Sequence, residues 1–437
     1  MKSGSPLQGI TGWVLHRLLR NYWSLPVLAV LSAPVVALLV LLADRDFLTD
    51  WLIENDLTPV ATADTARDFA GVAAGVDAAL VALYFSITLI VLSLAAGNLG
   101  VRLIDRWLEK PLVRVSISGL SFSLIVSLIA MLAIDPEVEL VDTPLGLVLL
   151  VMGLQIVNLA MLSVAFHDLG RTMFIDRAIS TLSEDASKIR LALTGRDEED
   201  IDWSQTVTMG RAGYVEGNDI DRLRKLVKDH PGRIRILASP GVHLLEGQAV
   251  VLLENAMDDP DCICECIPVG EYRSNSQGVV FQVRLLVEVA ARALSPAIND
   301  FYTALAAADS LAEAMRAHQD TWVPEGQIAV LADDARIELP GQDFRGLFED
   351  PMSAFRQAAA DYPSVSIRMI GNYRRICEVL DDSQREEGFA SYLGRLAKEL
   401  ADHARSRAET DSDRQDIAKA WDEMQAFLET NGRSLPR

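Results

Sequence analysis

The chain has 437 residues, of which 50% are hydrophobic, and its 61 acidic against 40 basic side chains give a formal net charge of -21. Such a charge is repelled by nucleic acid, which is therefore excluded as a partner. The hydrophobic share is concentrated in the first third of the chain, and a mostly polar part of about 270 residues follows it.

Four apolar segments occupy that first third, at about residues 24–43, 71–96, 112–134 and 145–166. Each is long enough to cross a hydrocarbon core of about 30 Å as a helix. The first is longer than the apolar core of a signal peptide, so we expect it to be retained. Residues 1–166 are therefore predicted to form a four-span transmembrane domain in the lipid bilayer.

Charge is distributed unequally among the segments that flank these spans. The first and third loops are rich in Asp and Glu. Basic residues precede the first span and fill the second loop: Lys2, Arg17, Arg20, Arg102, Arg106 and Lys110. Because loops rich in Lys and Arg stay on the cytoplasmic side, both the N-terminus and the long part after the fourth span are predicted to be cytoplasmic.

Asp77, Gln155 and Asn158 are the polar residues inside the predicted spans that we consider as functional candidates. Asp77 is one or two turns from the outer end of the second span, and Gln155 and Asn158 share a face of the fourth. Polar groups in a membrane are candidates for a transport path, but amides also form hydrogen bonds between helices. Asp77 could equally be an acid exposed at the membrane interface, so these alternatives stay open.

The polar part divides into three predicted sections. Residues 167–203 form a connecting amphipathic helix and linker, residues 204–270 are β-rich, and residues 271–437 are mainly helical with a hairpin at residues 327–339. Residues 239–248 join two strands through two glycine-bearing turns, which favours a small β-barrel-like section. The predicted fold class is a membrane α-helical bundle followed by an α+β cytoplasmic domain.

Cys262, Cys264 and Cys266 alternate with other residues, as in a strand with one buried face. Sulfurs on such a strand lie about 7 Å apart, too far to share a zinc ion without a bend. The six histidines are scattered, and the sequence has no phosphate-binding loop, dinucleotide fingerprint or nucleophile elbow. We therefore predict no metal site, no cofactor and no catalytic residue.

The most distinctive local motif is a polar run between two predicted helices. Ser295-Pro296 fits a helix N-cap followed by proline at the first helical position, and Asn299 or Asp300 can cap the next helix. The run is either a structural polar corner or a ligand or anion pocket. The candidate residues are Arg273, Gln282, Arg292, Ser295, Asn299, Asp300 and Thr303.

This motif and the preceding run Gly270-Glu271-Tyr272-Arg273 resemble the bacterial membrane-protein family catalogued as domain of unknown function 2254. The resemblance spans nearly the whole chain. It implies a bacterial inner-membrane protein with a four-helix membrane part and a cytoplasmic domain without an assigned activity. Two positions depart from the family pattern, because Gly278 replaces an acidic residue after Gln277 and Phe301 replaces a proline. The missing carboxylate weakens an acid-base role for the motif.

Three classes of function remain. The sequence favours a structural or regulatory scaffolding membrane protein, which forms a homo-oligomer or recruits an unidentified cytoplasmic protein partner. The alternative is a homo-oligomeric ion channel or transporter, in which Asp77, Gln155 or Asn158 lines a path. A membrane-bound enzyme is the least favoured class, because no catalytic constellation is present.

Overall fold

The computed structural model describes residues 23–99, 111–172, 175–188, 191–380 and 388–430. The chain divides into two compact units. The first, called the membrane unit below, comprises residues 1–97 and 103–173, and the second, the C-terminal unit, comprises residues 98–102 and 174–437.

The described part of the membrane unit is helical. A π-helical turn, Asp44–Leu48, joins the first two helices, so the first candidate span extends from Ser24 to Glu54. Four helices are long and apolar enough to cross a membrane, and the predicted number is confirmed. The helices are α1 (Ser24–Ala43), α2 (Thr49–Glu54), α3 (Ala63–Leu99), α4 (Pro111–Ala133) and α5 (Leu145–Thr172). The basic residues that predict the orientation before α1 and in the second loop lie outside the described residues.

Small residues occupy the contacts between these helices. Ala33 and Ala37 of α1 and Ala130 of α4 are fully buried in one core cluster. Small side chains let helices approach closely, which matters where apolar burial alone gives no preference for protein over lipid. Large apolar residues such as Leu31 and Leu132 point outward and are 67% and 80% exposed. This distribution is the one expected of a bundle that meets lipid.

Short strands build two sheets in the described part of the C-terminal unit. The larger has the order β1-β8-β9-β4-β6-β2, with antiparallel pairs except for the parallel pair β4–β9, and the smaller has the order β5-β3-β7. The strands are β1 (Leu193–Asp197), β2 (Gln205–Thr208), β3 (Gly213–Val215), β4 (Ile234–Ile236), β5 (His243–Leu244), β6 (Ala249–Leu253), β7 (Val269–Gly270), β8 (Gln327–Leu331) and β9 (Asp334–Glu338). The predicted hairpin is present as β8 and β9.

Both sheets are open in the described residues, so the predicted barrel-like section is not confirmed. Residues 204–270 supply strands to both sheets, and the larger sheet takes β8 and β9 from later in the chain. Its edge strand β1 lies within the segment predicted as a linker. Leu193 alone of the five residues of β1 is buried, so the sequence has no alternating apolar pattern that would predict a strand there. Pairings over such separations cannot be read from local periodicity.

The predicted strand through the three cysteines is wrong. Asp261–Cys264 forms a short helix, α8, which follows Pro260. The amides of Ile263 and Cys266 each donate to a carbonyl three residues earlier, at 3.1 and 2.9 Å. Three alternating residues are too few to separate strand from turn. Burial raises the pKa of Cys266 to about 11, so this thiol stays protonated at neutral pH.

Helices form the remainder of the C-terminal unit. The first of them, α6, packs against α9 and α10. An aromatic cluster ties α11 (Phe344–Ala359) to α13 (Phe389–Arg407), with the Phe344 ring 4.7 Å from Phe389 and 6.1 Å from Tyr392 between centroids. The helices are α6 (Ile175–Ala186), α7 (Ile220–Leu226), α9 (Val279–Ala293), α10 (Phe301–Ala317), α11 (Phe344–Ala359), α12 (Pro363–Glu378), α13 (Phe389–Arg407) and α14 (Asp411–Thr430).

One buried carboxylate sits in the larger sheet. Glu338 of β9 is 0% exposed, and its two oxygens pair with Arg196 of β1 and with Arg235 of β4, the latter at 2.5 Å. Arg235 also lies over the Trp203 ring at 5.1 Å and pairs with Glu198 at 3.1 Å. The cluster thus connects strands that come from distant parts of the chain.

Candidate functional site

The polar corner singled out by sequence is built mainly from local contacts. Asp300 caps α10, because its carboxylate accepts hydrogen bonds from the Thr303 amide at 3.1 Å and the Thr303 hydroxyl at 2.6 Å. Asn299 has a positive φ of 49° at the turn, and the Ser295 carbonyl accepts its amide hydrogen bond at 2.9 Å. Asp300 and Thr303 are thus explained by capping. The predicted N-cap at Ser295 is wrong, because the residues after it form a turn and the next helix begins only at Phe301.

The other candidates at the polar corner, Arg273, Gln282 and Arg292, each contact a different partner. Arg292 pairs with Glu288 on the same helix at 3.2 Å, whereas the Arg273 guanidinium lies 5.2 Å from the centre of the Tyr214 ring. Gln282 donates to Asn275 through its side-chain amide. In the described part of the chain, neither Arg273 nor Arg292 forms a hydrogen bond or ion pair with Asp300.

In the membrane unit, Asp77 of α3 is 0% exposed. Its Oδ2 accepts hydrogen bonds from Ser123 Oγ at 2.7 Å, Gln155 Nε2 at 2.8 Å and Ser127 Oγ at 3.3 Å. Its Oδ1 has no partner among the described residues. The alternative of an acid at the membrane interface is therefore ruled out. Asn158 is also buried, but its Nδ2 has no partner in the described part of the chain.

A second buried acid, Asp44, was not recognised from sequence. It lies at the end of α1 and accepts hydrogen bonds from the amides of Gly146 at 2.7 Å and Leu147 at 3.0 Å. Thr49 adds its hydroxyl at 3.1 Å. Asp44 thus caps the first turn of α5, about 100 residues later in the chain, and fixes the ends of two spans to each other. Its role is structural.

A pocket of about 190 Å³ lies in the C-terminal unit and is called the C-terminal pocket below. Its wall combines the start of β1, the loops after β3, β4 and β9, the turn before α9 and the end of α10. The lining residues are Leu191, Leu193, Glu216, Gly217, Asn218, Pro240, Ser276, Gln277, Gly278, Val279, Val280, His318, Thr321, Gly341, Gln342 and Leu347.

Four of these residues have buried polar atoms without a partner among the described residues. Both amide atoms of Gln277 are unpartnered although the residue is only 4% exposed. Gln342 contributes an unpartnered Nε2, Asn218 an Oδ1 and His318 an Nδ1. These unpartnered atoms, on residues that line the pocket, comprise two donors and three acceptors. Native proteins rarely leave such groups unsatisfied, so each requires an explanation.

The tautomer of His318 follows from its partner. Its Nε2 lies 2.8 Å from the carbonyl oxygen of Ala186, the last residue of α6. That nitrogen must carry the proton, because a carbonyl only accepts. Burial lowers the pKa of His318, so the ring is neutral at pH 7 and its Nδ1 remains an acceptor.

This burial predicts a pH dependence of stability. Below about pH 6.5 an unfolded histidine takes up a proton that the buried ring resists, so the free energy of unfolding should fall as the pH drops from 6.5 to 5. Chemical denaturation of the full-length protein in detergent measures this slope. His318→Gln should reduce the slope, whereas His243→Gln, at an exposed position, should leave it unchanged. Equal slopes in wild type and His318→Gln would contradict the assignment.

The turn that leads from Gln277 into α9 is also part of the pocket wall. Gly278 has a φ of 63° and precedes α9 without a side-chain cap, so the first amides of that helix, at the pocket residues Val279 and Val280, have no intrahelical acceptor. Glu216 is the acidic residue among the described lining residues, which include no Lys or Arg. The site offers hydrogen-bonding groups and apolar contact, the combination typical of small-molecule sites.

Sequence reasoning noticed Gln277 and Gly278 only as departures from a family pattern. Asn218, His318 and Gln342 gave no local signal, because they come from loops that meet only in the folded unit. The residues adjacent to these three along the chain do not mark them as members of a pocket. The available hint was the absence of a capping residue at Gly278, immediately before a strongly apolar helix.

A family model described as predicted membrane protein (DUF2254) matches residues 20–374. The match includes all four candidate spans and every residue that lines the C-terminal pocket, and it ends within α12. The helices α13 and α14 lie beyond it. The chain matches no curated protein and no solved structure.

Proposed function

The chain belongs to the DUF2254 family of predicted membrane proteins, and on that premise we propose that it is a regulatory membrane protein whose C-terminal unit binds a small polar molecule. The spans would cross a bacterial inner membrane with the N-terminus and the C-terminal unit in the cytoplasm, as the positions of the basic residues favour. The observation that supports the proposal is the set of unpartnered polar atoms on residues that line the C-terminal pocket.

The energetic argument concerns these atoms. A buried polar atom without a hydrogen bond costs about 1–3 kcal/mol, so five of them on residues that line one pocket are a substantial destabilisation unless a ligand reaches them. Ordered water satisfies the polar atoms of a cavity but gives its apolar wall no favourable contact. The wall also contains Leu193, Val280 and Leu347, and a ligand with an apolar body would cover these side chains as well.

Size and chemistry define the class of ligand. An apolar cavity of about 150 Å³ holds benzene, so the pocket suits a molecule of roughly six to ten heavy atoms. The adjacent donor and acceptor of Gln277 match a ligand with an amide-like edge that carries one N–H and one carbonyl. The Glu216 carboxylate disfavours an anion. We therefore propose a neutral or cationic small molecule with an amide group.

The link to regulation is α6, which follows the fourth span in the chain. His318 both lines the pocket and bonds the last residue of α6, Ala186. One turn earlier, Ser183 of α6 donates to Glu313 of α10 at 2.6 Å. A ligand that engages Nδ1 of His318 fixes the ring that holds the end of α6. We propose that this contact transmits ligand binding in the pocket to α6 and, along the chain, to the fourth span.

Thermal unfolding of the full-length protein in detergent against a panel of small amides, small alcohols and carboxylates tests the proposal. Amides that bind should raise the melting temperature of the wild type, and carboxylates should not. Gln277→Met should abolish the shift, since methionine keeps the length but loses both amide atoms. Arg292→Ala, in the polar corner, should retain it. A shift that persists in Gln277→Met but disappears in Arg292→Ala would move the site to the corner and overturn the proposal.

A second candidate, a homo-oligomeric ion channel or transporter, is favoured by the burial of Asp77 among three spans. Four spans are too few to enclose an aqueous pore, so this function requires a closed oligomer. The mass of the full-length protein in nanodiscs, corrected for lipid, tests it. A tetramer or larger would support a channel, whereas a monomer or dimer would leave self-association or a cytoplasmic protein partner as the target of regulation.

A further inference from the structure

A different inference arises in the membrane unit and does not depend on the C-terminal pocket. Three helices deliver four polar side chains to one point: Asp77 of α3, Ser123 and Ser127 of α4, and Gln155 of α5. Gln155 Nε2 also lies 3.4 Å from Ser123 Oγ. Neutral donors thus gather around one oxygen of a carboxylate that has no access to solvent.

The charge of Asp77 is not balanced by these neighbours. Hydroxyl and amide groups stabilise a carboxylate but leave its net charge of -1 in place. Among the described residues no Lys, Arg or His forms an ion pair with Asp77, and its Oδ1 has no partner. A buried charge without a counter-charge is strongly destabilising in the interior of a membrane bundle.

We propose that Asp77, Ser123, Ser127 and Gln155 bind a sodium ion in the membrane unit. Oδ1 of Asp77, the lone pairs of the two hydroxyls and the oxygen of a flipped Gln155 amide are hard oxygen ligands, which an alkali cation prefers. A monovalent ion brings the site to zero net charge, whereas a divalent ion would leave an excess of +1. The short separations of these side chains favour sodium over the larger potassium ion.

Binding of radioactive ²²Na⁺ to the purified full-length protein in detergent, at pH 8 and with choline chloride as the balancing salt, tests the proposal. The wild type should show saturable binding of one ion per chain, competed by unlabelled Na⁺ at least 10-fold better than by K⁺. Asp77→Asn should lose at least 10-fold in affinity. Ser127→Ala, which removes the longest of the three hydrogen bonds to Asp77, should fold normally and lose about threefold or more in affinity.

Asp44→Asn is the matched control, because Asp44 is also a buried acid of the membrane unit but both its oxygens accept backbone amides. Its affinity for sodium should stay within twofold of the wild type. Absence of saturable binding in the wild type would overturn the proposal. Unchanged affinity in Ser127→Ala together with equal losses in Asp44→Asn and Asp77→Asn would also overturn it, since the losses would then reflect misfolding.

Discussion

Glu338→Gln should lower the free energy of unfolding of the C-terminal unit by about 3–5 kcal/mol. Glutamine keeps the shape of the side chain but removes the charge that faces Arg196 and Arg235. Both arginines are then left half-buried beside a neutral group in the centre of the larger sheet. Urea denaturation of the full-length protein in detergent, followed by tryptophan fluorescence, measures the loss.

The matched control is an exposed ion pair of the same unit. Asp361 pairs with Arg407 at 2.6 Å, and both side chains are more than half exposed. Since water screens such a pair, Asp361→Asn should cost less than about 1 kcal/mol. Equal losses in the two variants would show that burial does not strengthen the Glu338 cluster, and would contradict the account of the sheet.

Gly346→Ala should lower the free energy of unfolding of the C-terminal unit, because it adds a methyl group where no space exists. A Cβ atom at Gly346 would lie 1.9 Å from the carbonyl oxygen of Gly341, so the backbone itself has to move. Overpacking of this kind costs about 1–3 kcal/mol, and more where no side chain can yield. Gly341 also lines the C-terminal pocket, so the shift should weaken amide binding as well.

Gly371→Ala provides the comparison, because Gly371 lies inside α12 and a Cβ there meets nothing within 4 Å. Alanine at this position should raise the free energy of unfolding by about 0.5–1 kcal/mol through its higher helix propensity. The same denaturation experiment measures both variants. A stabilised Gly346→Ala would mean that the loop at Gly341 is free to move and does not shape the pocket.

The parts of the fold that sequence predicted are those with local causes. Hydropathy gives the four spans, because crossing a bilayer demands long apolar helices. Strand periodicity gives the hairpin of β8 and β9. Cap residues give the beginning of α10 at Asp300. Each of these signals lies within a few residues of the structure that it specifies.

The parts that sequence could not predict depend on distant partners. In the sequence Asp44 is one loop acid among several. Only in the folded bundle does it accept hydrogen bonds from the amides of α5. Glu338 looks like an ordinary hairpin glutamate until β1 and β4 supply their arginines. The C-terminal pocket needs segments from residue 191 to residue 347 to close around Gln277.

The stability of Gln277→Met in the absence of any ligand tests the central claim most directly, with Gln282→Met as its control. Both glutamines are buried, at 4% and 3% exposure, but Gln282 donates to Asn275 whereas Gln277 has no partner among the described residues. If Gln277 is kept for a ligand, methionine removes two unsatisfied atoms and the free energy of unfolding should rise by about 1–3 kcal/mol, while Gln282→Met should lower it. A loss in Gln277→Met as large as that in Gln282→Met would show that Gln277 supports the fold, and would contradict a ligand site at the C-terminal pocket.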